Sequence, residues 1–506
     1  MNKKPENFID RFITVIERGG NALPHPAALF GLFGLITLMI SALGYFAGWQ
    51  GIHPANGETV KVINLLSVDG LHRILLDMVN NYTGFAPLGI VMVAMLGIGV
   101  AESSGLIKAA INALLIRAPR KSVTFMIVFT GILSNIASDL GYILIIPLAG
   151  VIFHSLGRHP IAGMSAAFAG VSGGFSANLL IGTIDPLLAG LSTEAAHIID
   201  LGYYVMPTAN FYFMAISTFV IAIAGTWVTT AWVEPRLGKY SGDVETEPVS
   251  GLQPGERRGL KWVLILLAGW LVLFAAGLIP DHGFLRGADN SVLHSPLLKG
   301  FISILFIVAT SCGIVYGYLA GTFKKHVDVI NGMNSSFKSL VSFLVLVFFA
   351  AQFVAWFKWS NLGLILAIKG AAILQALDLG LIPLVILFVI FSGFINLFMG
   401  RASAKWAIMG PVFIPMFMIL GYSPELSQAV FRIGDSVTNV ISPMMSFFAL
   451  IIVYYQKYDQ KSGIGTLIGT MLPYSFVFFI VWTLLMIVWI WLGLPLGPEA
   501  GLYYSK

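Results

Sequence analysis

An all-α polytopic membrane protein is what this sequence predicts. Composition, the length of the apolar runs and the placement of the charges all point there. Of 506 residues, 57% are hydrophobic and 10% charged, and the mean hydropathy is +0.86. A soluble domain carries about 25% charge. Many runs reach the roughly 20 apolar residues that cross a hydrocarbon core. They are too long and too evenly apolar for the ten-residue alternation of a transmembrane β-barrel. The net charge of +5 does not imply nucleic acid, because the bases cluster at the ends of apolar runs, where the positive-inside rule puts them. Cys312 is the single cysteine, which excludes an intrachain disulfide.

Residues 1–26 read as a cytoplasmic segment. Lys3, Lys4, Arg11 and Arg18 hold it inside, and Phe8, Phe12 and Val15 share a helical face in Met1–Gly20. Glu6, Asp10 and Glu17, with the long run that follows, argue against a cleavable signal peptide. Pro24-His25-Pro26 reads as a turn and interface anchor. Residues 27–233 form a first transmembrane half. Its spans are about Ala27–Gln50, Phe85–Leu106 and Pro207–Val233, with an amphipathic outer segment at Gly51–Tyr82. Between Ser122 and Phe153 two short apolar pieces flank GILSNIASDLGY, which reads as a re-entrant hairpin, the alternative being one kinked span. Ile161–Leu191 begins as a span and breaks, and Asp185-Pro186 is expected to end or unwind the helix.

Residues 234–261 form a cytoplasmic linker rich in Arg and Lys, and residues 262–506 a second half. Its spans lie near Trp262–Leu278, Gly300–Leu319, Leu340–Phe357, Leu381–Met399 and Thr466–Leu494. Ser360–Leu379 is either a span or an interfacial helix. A second hairpin is expected at about 402–421, followed by a broken span at Leu426–Tyr455. The total is about nine transmembrane helices with two re-entrant hairpins. The halves share an order of span, hairpin and broken helix, which suggests an inverted-repeat secondary transporter.

The chemistry concentrates in Phe394–Ser446, where Arg401, Lys405, Arg432 and Asp435 stand among apolar runs interrupted by Gly and Pro. Ionisable residues in hydrocarbon face polar paths, and irregular backbone survives there only beside protein or water. Arg432 and Asp435 are three apart and share a helix face. Arg432 is either a clamp for an anionic solute or the partner of Asp435. Asp185 has no cationic neighbour in sequence, which suits a proton carrier; with Asn178 and carbonyls it would suit Na⁺ instead. Asn135 and Asp139 on the first hairpin, and Asn396 and Ser403 near the second, offer oxygens for a cation or for the backbone. Asn439 mirrors Asn178 beside the second break. Trp406 is placed to stack on an aromatic solute or to sit at an interface. Pro424 and Pro443 read as hinges or breakers. Hydrolase elbows, phosphate loops and metal-binding His spacings do not occur, so an enzyme is not expected. A channel is the competing class.

Several long motifs resemble the AbgT family of p-aminobenzoyl-glutamate transporters and antimetabolite exporters. They are GNALPHPAALF, VSGGFSANLL…DPLLAGLSTEAA, FFAAQFVAWFKWSNLG, NLFMGRASAKWAIMGPVFIPMF with GYSPELSQAVFRIGDSVTNVISPMMSFF, and GTLIGTMLPYS. The resemblance implies a homodimer in a bacterial inner membrane, with an inverted-repeat core and a cytoplasmic solvent-filled bowl. It assigns function to Asp185, Asn396, Ser403, Trp406, Pro424, Arg432, Asp435 and Pro443. Asn396 and Asp435 are then near a cation, Trp406 and Arg432 near a small aromatic carboxylate or sulfonamide. The expected function is proton-driven export of sulfonamides, or uptake of p-aminobenzoyl-glutamate with Na⁺ or H⁺.

Overall fold

The computed structural model describes residues 24–52, 57–116, 119, 122–136, 141–242, 244, 251–292 and 295–504. The amphipathic N-terminal segment expected around Phe8, Phe12 and Val15 lies outside them, as does Asp139. Among the described residues the chain is almost wholly helical, and nine segments are long and apolar enough to cross a membrane.

The first half opens with α1 (Pro26–Phe46). Pro26 sits in its first turn, and the His25 ring nitrogen accepts from the Ala27 N–H at 3.3 Å. This placement needs no lost hydrogen bond, since the first turn's N–H groups have no helical partner. A small antiparallel pair follows, β1 (Gln50–Ile52) and β2 (Thr59–Lys61), with Gln50 opposite Lys61. Next come α2 (Val68–Thr83), α3 (Ala86–Ser103) and α4 (Leu106–Ile116). The first hairpin is α5 (Val123–Leu133), extended by a 3₁₀ turn at Ser134–Ile136, then a π turn at Gly141–Ile145 leading into α6 (Ile146–Ser155). A Cβ on Gly141 would strike the Ser134 hydroxyl, so the two arms meet at that end. Each arm with its turn is too short to cross about 30 Å of hydrocarbon.

The first broken helix is α7 (Pro160–Phe168) with a π turn at Ala169–Gly173, a non-helical stretch over 174–183, and α8 (Ile184–Ala196). Asp185-Pro186 therefore opens a helix instead of ending one. Proline is tolerated in a first turn, and an Asp there meets the positive end of the helix dipole. The half closes with α9 (Phe211–Val228), a π turn at Thr229–Val233 and α10 (Glu234–Leu237).

The second half comprises α11 (Pro254–Leu278), α12 (Pro296–Lys299), α13 (Phe301–Ala320) and the 34-residue α14 (His326–Trp359). Phe353 of α14 packs against Phe30 and Phe33 of α1, with ring centroids 6.0 and 5.9 Å apart. The doubtful stretch after Ser360 is α15 (Leu362–Ala376), whose 15 residues span about 22 Å and fall short of the core.

Then come α16 (Leu381–Phe398) and α17 (Ala402–Ile419). The segment near 402–421, expected to be a hairpin by itself, is this one helix. Pro411 and Pro415 lie inside it, as happens where neighbouring helices satisfy the freed backbone groups. The chain reverses earlier, at 399–401. Phe388 meets Phe413 and Phe417 while Phe391 meets Phe413, so α16 and α17 run antiparallel. The second broken helix is α18 (Pro424–Asn439), a break over 440–447, and α19 (Phe448–Gln456). The last span is α20 (Ile464–Trp491).

One packing device occurs in both halves. Gly131 of α5 faces Gly170 beside α7, and Gly393 of α16 faces Gly434 of α18. A Cβ on Gly170 would lie 3.0 Å from the Val128 carbonyl carbon, and one on Gly434 would lie 2.9 Å from the Gly393 nitrogen. Backbones this close bring the polar side chains of a hairpin arm onto the broken helix beside it.

Candidate functional site

The site is built on α18. Its sequence is amphipathic, yet every residue except Thr438 is buried. Gln428, Arg432, Asp435 and Asn439 recur at i, i+4, i+7 and i+11, which makes one polar stripe. Because that stripe is buried, it must find its partners in the protein.

Those partners come from opposite sides of the molecule. Arg432 Nη2 is 2.7 Å from Asp185 Oδ1, and the two side chains are 4% and 2% exposed. The other Asp185 oxygen accepts from the Gly182 N–H at 2.7 Å. Asp435 pairs with Lys405, whose ammonium also donates to Asn396 Oδ1. Asn396 donates in turn to the Asp435 carbonyl at 2.7 Å, Thr438 Oγ1 at 2.8 Å and Asn439 Oδ1 at 2.9 Å.

The pairing between Arg432 and Asp435 suggested by their spacing does not form. Each takes a partner from a different element, Arg432 from α8 and Asp435 from α17. Nor is Asp185 an isolated acid. Its cation is 247 positions away in the chain, where no local reading finds it.

Trp406 is fully buried, which rules out an interfacial place for it here. Its ring stacks on Phe431 at 4.5 Å between centroids, and its Nε1 donates to Ser192 Oγ at 2.9 Å. From there a polar chain continues along α18. Ser192 donates to Gln428 Oε1 at 2.7 Å, and Gln428 donates to Asn210 Oδ1 at 2.8 Å.

The remaining expected residues divide. Asn439 and Asn396 join the Asp435 cluster. Pro424 opens α18 behind the Ser423 cap. Pro443 lies in the second break, where neighbouring Ser442 Oγ donates to the Asn396 carbonyl at 3.1 Å. Ser403 is partly exposed at the start of α17. Asn178 Oδ1 accepts from Leu180 N–H at 3.3 Å, a local turn. Asn135 donates to the Ile132 carbonyl at 3.1 Å, and its Oδ1 is buried without a partner. Asn135 reaches the site through backbone, because its carbonyl oxygen packs against Gly182, three residues from Asp185. The first break also meets α18 directly, as the Ser176 N–H donates to Ser436 Oγ at 3.1 Å.

Lys405 is the main residue that sequence reasoning left out of the site, along with Ser192, Gln428 and Asn210. Its signal was a lysine inside an apolar helix, and that of Gln428 was the helical stripe. For Na⁺ the fit in this conformation is poor. Asn396 Oδ1 and Asp435 Oδ1, the side-chain oxygens best placed to hold a cation, both already hold the Lys405 ammonium.

Comparison with known proteins gives the family. Residues 11–504 match the family described as "AbgT putative transporter family". The chain belongs to the AbgT family. It is 37% identical over 489 residues to the p-aminobenzoyl-glutamate transport protein of Escherichia coli K12, covering 96% of each chain. Two solved AbgT structures superpose closely. The Alcanivorax borkumensis YdaH transporter, described as having an unusual topology, is 46% identical with a TM-score of 0.89, over 94% of this chain and all of that one. Neisseria gonorrhoeae MtrF, described with a class of antimetabolite efflux pumps, is 48% identical with a TM-score of 0.92, over 96% of this chain and 99% of that one. As an AbgT member the chain is a multi-pass membrane transporter, not an enzyme.

Proposed function

We propose that this transporter exports sulfonamide-type antimetabolites across the bacterial inner membrane in exchange for protons. The observation that carries the reading is the pair of buried ion pairs, Asp185–Arg432 and Asp435–Lys405, which join α18 to α8 and to α17. Protonating either aspartate would remove its charge and loosen the contact between the two elements it joins, which couples proton binding to shape in this reading. The freed Arg432 or Lys405 then offers a donor to an anionic or sulfonyl group. Trp406 and Phe431, buried and stacked on each other here, supply an aromatic surface once that contact opens. The 48% identity to MtrF, described among antimetabolite efflux pumps, supports the direction.

A second reading is uptake of p-aminobenzoyl-glutamate with Na⁺ or H⁺, and the E. coli relative's name supports that substrate. Lys405 in the cation position favours protons over Na⁺ in either reading. A homodimer and a cytoplasmic N-terminus belong to the same proposal, and for the latter the basic residues of the N-terminal segment and of the 234–261 linker speak by the positive-inside rule.

The test is flux in proteoliposomes, with Na⁺ and proton gradients imposed separately and in both directions. Sulfonamide moving against inward protons establishes the exporter. Na⁺-dependent movement of the glutamate conjugate in the same direction as the ion overturns it. Flux that never saturates points to a channel.

A further inference from the structure

Among the described residues three acidic side chains are buried: Asp185, Glu425 and Asp435. Two have a cation. Glu425, 4% exposed in the first turn of α18, has none. Its Oε2 accepts from the Tyr203 hydroxyl at 2.8 Å. A carboxylate removed from water without a cation partner is costly, and a bound proton removes the cost.

Glu425 is not sealed in. It lines a cavity of about 280 Å³ together with Tyr203, Tyr204, Glu499 and Tyr503. Among the described residues the titratable groups around it are acids, phenols and the His197 ring. Tyr504, whose ring is 5.6 Å from that of Tyr203, donates to Asp200 at 3.0 Å. The His197 ring meets only the Tyr203 carbonyl, at 3.1 Å. The cavity wall is made by the chain's last described residues, which are tied to the start of α18. Ser423 N–H donates to the Leu502 carbonyl at 3.1 Å, and Tyr504 N–H to the Gly421 carbonyl at 2.9 Å. Asn210 Nδ2 donates to the Glu425 carbonyl at 2.9 Å and so joins this turn to the Gln428–Ser192–Trp406 chain.

We propose that Glu425 is a proton-binding site, filled from this cavity and separate from the paired aspartates. The proposal deepens the proton-coupled reading and rests on it for its role in transport. The loaded state carries a neutral acid beside Tyr203 and a relaxed contact with the C-terminal segment. The empty state carries a buried anion that the Tyr203 hydroxyl and the α18 N-terminus must hold.

The experiment is infrared titration of the full-length protein in nanodiscs from about pH 5 to pH 9, following the protonated-carboxyl band. An exposed Glu, with pKa about 4.3, contributes little there. A band that fades with rising pH in wild type and is absent in Glu425→Gln is expected. Tyr203→Phe should keep the band and move its midpoint upward, because the anion loses its donor. An unchanged band in Glu425→Gln, or no titrating band in wild type, overturns the proposal. The flux reading fails separately: a band lost in Glu425→Gln supports the site even if no sulfonamide moves. Proton-driven flux with an unchanged band removes the site and leaves the transport reading standing.

Discussion

Replacing Lys405 with methionine removes one charge from a place that water does not reach. Lys405 is fully buried and Asp435 is 1% exposed. Asn396 directs its amide protons to the Asp435 carbonyl, Thr438 and Asn439, not to the Asp435 carboxylate. Without the ammonium, no donor among the described residues is left for that carboxylate. Breaking a buried pair in this way costs about 3–5 kcal/mol. Adding Asp435→Asn to Lys405→Met removes both charges and should recover at least about 2 kcal/mol. The assay is reversible unfolding of purified protein in mixed micelles, read by tryptophan fluorescence. A penalty below about 1 kcal/mol, or a double variant no more stable than Lys405→Met alone, refutes the argument that this is a dry, mutually dependent pair.

Other outcomes follow from the same geometry. Trp406→Phe keeps the stack on Phe431 but leaves Ser192 without its indole donor, and should cost about 1 kcal/mol in the same unfolding assay. Gly170→Ala drives a Cβ onto the Val128 backbone, and should lower stability by about 1–3 kcal/mol and slow flux; wild-type stability would show that the helices separate freely. His159 caps α7 in its connecting loop by accepting from Ile161 N–H, a bond only the neutral ring can make. Burial lowers its pKa below the ordinary value, against the opposing pull of Asp459 and Glu234. Its contribution is therefore present above the unfolded value of 6.5 and is lost as pH falls. His159→Asn, which also caps, should flatten that acid-side loss in thermal unfolding; an unchanged pH profile would place the titration elsewhere.

The sequence alone determined the class. A chain with so little charge, and with apolar runs of helical length, must satisfy its backbone inside each segment, and only helices of this kind do so. Gly and Pro marked where spans break, since they interrupt or tighten the helix locally, and the breaks near 174–183 and 440–447 were legible for that reason. So was the concentration of polar and charged side chains around Asp185, Asn396, Arg432 and Asp435, which the fold gathers and buries. Proline was less dependable: Asp185-Pro186 starts a helix, and Pro411 and Pro415 lie within one, because the effect of a proline depends on what lies beside it. Only the tertiary structure decided the partners. The spacing of Arg432 and Asp435 places them on one face of α18, but a shared face does not make a pair when closer opposite charges arrive from α8 and α17. Lys405 and Asp185 are brought there by Gly–Gly contacts and a chain reversal, long-range geometry that no short stretch of sequence records. The same holds for Glu425. Its residue type was plain, but the lack of a cation beside it is a property of everything packed around α18.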